Sequence, residues 1–275
     1  MRIDSHQHFW HYTPGEFDWI SADMELLKRD YYPSDLQPLL EAAGVEGTIC
    51  VQARQCVTET EWLLEWAEKF PFIRGVVGWV PLCSPRLREQ LEVFGNKSKL
   101  RGVRHVLQAG ADDRFMMRND FVHGIRLLTQ FALTYDLLIF PSHLSLAYEL
   151  AKRFPEQRFV IDHIASPSFM ENRFEEWAKG MKQIASCDNV FCKLSGFVTE
   201  VNRQDWQTFD FTPYHDAVLE GFGTKRILMG SDWPVCTLVA DYVDVIRFIG
   251  NCIQRLSHDE QADVWGNNAR EFYGV

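Results

Sequence analysis

Short apolar runs alternate along the chain with longer stretches whose apolar residues recur at helical spacing. The short runs are RIDSH (2–6), VEGTICVQA (45–53), RGVVGWVPL (74–82), LRGVRHVL (100–107), YDLLIFPSH (135–143), RFVIDHI (158–164), NVFCKLSG (189–196) and RILMGSDWP (226–234). Most are bounded by turn residues and apolar through their middle, as strands buried on both faces tend to be. Between them, TETEWLLEWAEKF (58–70) sets Trp62, Leu63, Trp66, Ala67 and Phe70 on one helical face, and residues 119–133 and 241–256 repeat the pattern. Strands alternating with helices imply right-handed crossovers and a parallel sheet. Eight such strands favour closure into a (β/α)8 barrel, an α/β fold made of one domain over residues 1–275. A doubly wound open sheet is the alternative. The tail SHDEQADVWGNNAREFYGV reads as a C-terminal helix capping the barrel, with Ser257 as N-cap and Glu260 completing a capping box.

Composition narrows the function. A length of 275 residues and a hydrophobic fraction of 46% suit one barrel with a sizeable core. A net charge of −10 excludes nucleic acid as a partner, because that needs clustered Lys and Arg against phosphate. The seven cysteines are odd in number and form no CxxC pair, so reduced thiols of a cytoplasmic protein are expected rather than a disulfide framework or a structural zinc site. MRIDSHQHFW carries no basic region followed by an apolar run, so no secretory leader is expected there. No apolar stretch approaches the ~20 residues that cross a bilayer, so no membrane partner is expected either.

The chemistry gathers where the strands end. Of nine histidines, His6, His8, His105, His143 and His163 fall at or just after the C-terminal ends of expected strands. That rim is where barrel enzymes build their sites. His6 and His8 are two apart on one strand, so their imidazoles share a face and can approach one divalent ion, zinc foremost. Asp4 has the same parity and is expected one layer deeper. Asp232, in GSDWP, ends the last strand, which neighbours the first in a closed barrel. It could ligate a metal or activate water, or simply cap the turn before Pro234. Arg104 and His105 are adjacent, so both enter a pocket only if their strand is ending there. Arg104 suits a carboxylate or polyhydroxylated substrate, and His105 a carbonyl. Lys193 is a lone charge in an apolar strand and needs a carboxylate partner or a substrate contact. Trp10, Trp79 and Trp233 offer an apolar wall for a sugar ring, although core packing accounts for tryptophans equally well. His11, His123, His215 and His258 have no such context and read as structural or solvated.

DSHQHFW, VIDHIA and GSDWPV, together with FDWI (17–20), VQA (51–53), ETEWLL (59–64), GVVGWV (75–80), GVRHVLQ (102–108) and KLSG (193–196), resemble the amidohydrolase superfamily. The nearest likeness is to the sugar-lactonase branch of the amidohydrolase-2 group, the hydrolases of L-fuconolactone and L-rhamnonolactone. The resemblance implies that His6 and His8 are the first-strand ligand pair. It makes His143 a fifth-strand ligand, His163 the sixth-strand histidine, and Asp232 both ligand and general base. Binuclear members carry a carboxylated lysine on the fourth strand. Here that strand holds Arg104 and His105, with Lys99 at its wrong end and Lys193 on the seventh strand. A two-metal site is therefore not expected, and one divalent ion, dispensable in some members of the group, is the most the pattern implies. The expected activity is opening of a small sugar-acid lactone. Catalysis falls to Asp232, His163, His105 and Arg104, and substrate contacts to Arg104, His105, Lys193 and Trp233. Metal-dependent decarboxylation of an aromatic acid is the alternative, and a non-catalytic binding barrel the second.

Overall fold

The computed structural model describes residues 1–95, 97–108, 114–169, 173–201 and 204–275. Eight strands form one sheet in sequence order, each parallel to the next: β1 (Ile3–Gln7), β2 (Gly47–Val51), β3 (Ile73–Gly78), β4 (Leu100–Val106), β5 (Thr134–Leu138), β6 (Phe159–Ile161), β7 (Val190–Leu194) and β8 (Ile227–Met229). Helices follow them: α1 (Pro33–Ala43), α2 (Val57–Lys69), α3 (Leu87–Phe94), α4 (Asn119–Gln130), α5 (Leu144–Arg153), α6 (Phe174–Ala185), α7 (Thr212–Phe222) and α8 (Tyr242–Ile253). Each of the eight expected runs overlaps a strand; His6 lies on β1, Arg104 and His105 on β4 and Lys193 on β7. His8, His143, His163 and Asp232 stand beyond the strand ends.

The sheet closes through the residues after β8. Gln7 bridges Trp233 in parallel, His8 N donates to Trp233 O at 2.7 Å, and Asp232 N donates to His6 O at 2.8 Å. Gly230 permits this approach, because a Cβ there would lie 2.7 Å from the Cβ of His6. Closure decides against the open-sheet alternative.

The barrel interior is layered. Ile3, Ile49, Val77, Val160, Phe191 and Leu228 form an apolar lower part with Ala269, Phe272 and Tyr273. The outward strand faces and the helices form the larger core, including Ile73, Val103, Tyr135, Ile161 and Ile227. Helix α2 buries Leu63, Leu64 and Ala67, while Trp62 and Trp66 are half-buried with ring centroids 3.8 Å apart. No helix among the described residues is long and apolar enough to cross a membrane.

The C-terminal tail is not one helix. Ser257 caps α9 (His258–Ala262) with the expected box: its hydroxyl accepts from Glu260 N, and its own N–H donates to Glu260 Oε2 at 2.9 Å. A five-residue π turn at Asp263–Asn267 then leads into α10 (Asn268–Tyr273), which seals the lower end of the barrel. The break lies at Gly266, whose backbone passes against Met1 and Ile3. A Cβ at Gly266 would collide with the carbonyl of Met1, a backbone atom that cannot swing aside. Gly266→Ala is therefore expected to destabilise the fold by about 1–3 kcal/mol, as overpacking does. Thermal unfolding checks this, and an unchanged midpoint would contradict it.

Candidate active site

A bulge in β1 aims the first-strand residues. Its register against β2 shifts between Asp4 and Gln7. Ile3 faces the interior apolar layer, and His6 and His8 also face inward. The extra residue breaks the two-residue parity, so Asp4 is not beneath His6 as expected. It turns outward and accepts from Ser231 N at 2.9 Å, Ser231 Oγ at 2.6 Å and Tyr242 OH of α8 at 3.2 Å. Burial outweighs those bonds and raises the Asp4 carboxyl to about 6. Asp4 thus ties the loop carrying Asp232 to the strand carrying the histidines.

Asp232 Oδ1 is the point of convergence. It lies 3.3 Å from His8 Nε2, 3.7 Å from His6 Nε2 and 3.8 Å from His163 Nε2. The two first-strand Nε2 atoms are 3.2 Å apart. His8 Nδ1 lies 2.8 Å from the carbonyl of Val51, so His8 carries its proton there and turns a lone pair on Nε2 toward the site. Burial lowers the pKa of His6 well below its ordinary value and lowers that of His163. Both rings are therefore neutral near pH 7.

Two strained turns deliver these groups. Asp232 has φ 60°, and residues His163, Ile164, Ala165 and Ser166 have φ 51°, 48°, 64° and 43°. Left-handed backbone costs roughly 1–2 kcal/mol per L-residue, more for a β-branched one, so the surroundings must impose it. Trp177 Nε1 holds the carbonyl of Ile164 at 2.8 Å, and Gln108 Nε2 holds Ser166 Oγ at 3.0 Å. Ser195 Oγ sits 2.9 Å from His163 Nδ1. Gly196, at φ 70°, lies flat against the imidazole, where a Cβ would be 2.7 Å from the ring.

Directly beneath lies a layer of buried charge. Lys193 Nζ is 2.6 Å from Asp136 Oδ2, 2.9 Å from Asp162 Oδ1 and 3.1 Å from His6 Nδ1. Arg104 Nη1 is 3.1 Å from Asp162 Oδ2 and 3.3 Å from His6 Nε2, and its Nη2 donates to the Gln52 carbonyl. Tyr273 of α10 donates to Asp136 Oδ2 at 2.9 Å. Burial alone would raise the Asp162 carboxyl, but Lys193, His6 and Arg104 hold it well below the usual carboxylate range. For Asp136 burial wins over Lys193, and the carboxyl rises to about 6. The buried Glu59 of α2 accepts from two backbone amides of the loop after β2, Ala53 N at 3.2 Å and Arg54 N at 2.7 Å.

Several expected roles change. Lys193 has 0% exposure, so carboxylates and not substrate answer its charge. Arg104 is 4% exposed with its donors turned to Asp162 and Gln52, which makes it floor rather than substrate clamp. His105 follows strand alternation and points away from Arg104. It accepts from Trp79 Nε1 at 3.1 Å and stacks on Phe115 at 5.2 Å, and burial lowers its pKa to about 4. It has no place in the converging cluster. His143 stands on a short turn beyond β5, where its Nδ1 accepts from Phe140 N at 3.1 Å, outside the donor groups of the site. Trp233 alternates with Asp232, is 2% exposed and packs on Phe9 and Tyr31, so it is core and not a sugar platform. Trp10 is likewise fully buried. Asp162, Asp136 and Ser195 were missed. Two had a signal: Asp162 immediately precedes His163, and Asp136 is an isolated acid in an apolar strand, the natural complement of Lys193.

The donor set fits one divalent ion. His6 Nε2, His8 Nε2 and Asp232 Oδ1 form a triangle with edges of 3.2, 3.3 and 3.7 Å. Ligands about 2.0–2.1 Å from a tetrahedral centre are about 3.3 Å apart. Imidazole with carboxylate is also a chemistry zinc accepts. A carboxylate amid imidazoles can equally hold and deprotonate a water.

Comparison with known proteins agrees with this geometry. The chain is 38% identical to an L-fucono-1,5-lactonase of Burkholderia multivorans, covering 100% of this chain and 96% of the relative. It is 36% identical to an L-fucono-1,5-lactonase of Burkholderia ambifaria with the same coverage. A crystal structure of an amidohydrolase from Burkholderia multivorans with bound zinc superposes with a TM-score of 0.94 at 37% identity, covering 100% of this chain and 99% of that one. The amidohydrolase family model matches residues 3–275, and the chain belongs to that family.

Proposed function

We propose that this protein hydrolyses a sugar-acid lactone, with Asp232 as general base. The observation that carries the reading is the convergence of three imidazoles on one Asp232 oxygen at 3.3–3.8 Å, in a chain 38% identical over its length to a lactonase. Water held by Asp232 gives up a proton to that carboxylate as its oxygen attacks the lactone carbonyl carbon. The tetrahedral oxyanion needs donors. His163 supplies one if Ser195 donates to its Nδ1, which leaves the proton on Nε2, toward the reacting atoms. As the ring C–O bond breaks, Asp232 returns its proton to the departing alkoxide, and an aldonic acid results. A divalent ion held by His6, His8 and Asp232 would supply Lewis acidity to the carbonyl and lower the pKa of bound water. Arg104 and Lys193 serve beneath by fixing Asp162 and His6. A cytoplasmic setting belongs to the same reading, and seven unpaired cysteines suit a reducing compartment.

A panel of aldonolactones followed by proton release is expected to give turnover, with L-fucono-1,5-lactone as the first compound. Release of carbon dioxide from aromatic acids, with every lactone inert, would contradict the reading. Asp232→Asn separates chemistry from folding, because asparagine is among the few residues that tolerate the left-handed backbone at this position. The variant should fold and lose about 100- to 10,000-fold in kcat, the usual contribution of a general base. Near-normal kcat in the folded variant would leave Asp232 only a turn residue.

A further inference from the structure

A groove of about 470 Å3 opens at the end of the barrel opposite Asp232, where β4 and β5 begin and Arg158 leads into β6. That volume falls within the roughly 300–1,000 Å3 usual for small-molecule sites. Its cations are Lys97, Arg101 and Arg158, and Glu156 is the one acid among its described lining residues. Arg158 is already engaged. Its Nη1 donates to the α10 carbonyls of Glu271 at 2.7 Å and Phe272 at 3.0 Å, and its Nη2 lies 3.9 Å from Glu271 Oε1. Lys97 and Arg101 are not engaged. Among the described residues neither side chain has a hydrogen bond or an ion pair, and Arg101 Nε is buried without a partner. The arginine stem is seated against β3, where a Cβ at Gly75 would lie 2.7 Å from Arg101 Cγ. Burial, joined by Arg74 and Arg101 against the pull of Glu68, lowers the pKa of the adjacent Lys99. Positive charge is thus concentrated here, in a chain whose net charge is −10.

The charge count selects the ligand. Two unanswered cations match a phosphate monoester, which carries about −1.5 to −2 at pH 7. A monocarboxylate such as an aldonic acid would answer only one of them. Arginine meets phosphate with paired donors and lysine meets it as a point charge. Phe131 and Phe272 line the same groove and offer an apolar wall to the esterified part. Tyr273 also lines it, and its hydroxyl donates to Asp136 Oδ2 at 2.9 Å, so the layer of buried charge separates the groove from Asp232. We propose that this groove binds a small phosphate monoester through Lys97 and Arg101, as a second site distinct from that of lactone hydrolysis.

Calorimetric titration of the full chain with phenyl phosphate, ribose 5-phosphate, inorganic phosphate and unphosphorylated ribose tests this. At least one ester should bind at one site per chain and more tightly than either inorganic phosphate or ribose. Lys97→Gln combined with Arg101→Met should weaken that ester about 10- to 100-fold, the scale of a lost hydrogen bond to a charged group. Lys97→Gln alone changes an exposed side chain and should weaken it about tenfold, which decides the matter if the double variant does not fold. Three results would each overturn the proposal: no binding of either ester, inorganic phosphate or ribose binding as tightly as the esters, and unchanged ester affinity in a folded variant.

Discussion

Everything at the site depends on β1 meeting the segment beyond β8. Two backbone hydrogen bonds make that contact, His8 N to Trp233 O and Asp232 N to His6 O, and the second joins two residues of the site directly. Closing the barrel and assembling the site are thus the same event. A residue with a side chain at position 230 would separate the two strands at His6 itself. Asp4 adds a third tie, since the bulge that turns it outward lets it grip Ser231 and Tyr242.

The layer beneath the site explains how catalytic polarity is kept in a barrel core. Lys193, Arg104, Asp136 and Asp162 amount to two cations and two anions, all at most 4% exposed. Buried ions are costly singly and tolerable only when paired and hydrogen-bonded. Tyr273 links the layer to the helix that seals the barrel below, so the C-terminal end bears on His6 through Asp136 and Lys193. Trp177 and Gln108 lock the strained turn at His163–Ser166, and the bond from Asp232 N to His6 O holds the one at Asp232.

The sequence made the barrel legible because its strands are short, apolar and separated by helical periodicity, which local chemistry enforces. His6, His8, Asp232 and His163 were legible as motif residues at strand ends. Side-chain direction was much less so. The bulge in β1 reversed Asp4, strand alternation sent His105 into packing while Arg104 faced inward, and the left-handed turn at Asp232 sent Trp233 against Phe9. His143 lies on a turn whose backbone claims its ring nitrogen. Lys193 had two readings, partner or substrate. Asp136 and Asp162 settle it for the partner, through contacts between strands far apart in the chain.

The chemistry at the site turns on one step, the attack of water held by Asp232 on the acyl carbon. Turnover of a lactone in isotopically heavy-oxygen water, with mass analysis of product and enzyme, tests it most directly. One heavy oxygen is expected in the product carboxylate, none in the newly freed hydroxyl and none in the protein after a single turnover. Label in that hydroxyl would mean attack at the ring carbon. Label in the side chain of Asp232 would mean a covalent nucleophile, and either result would contradict the account.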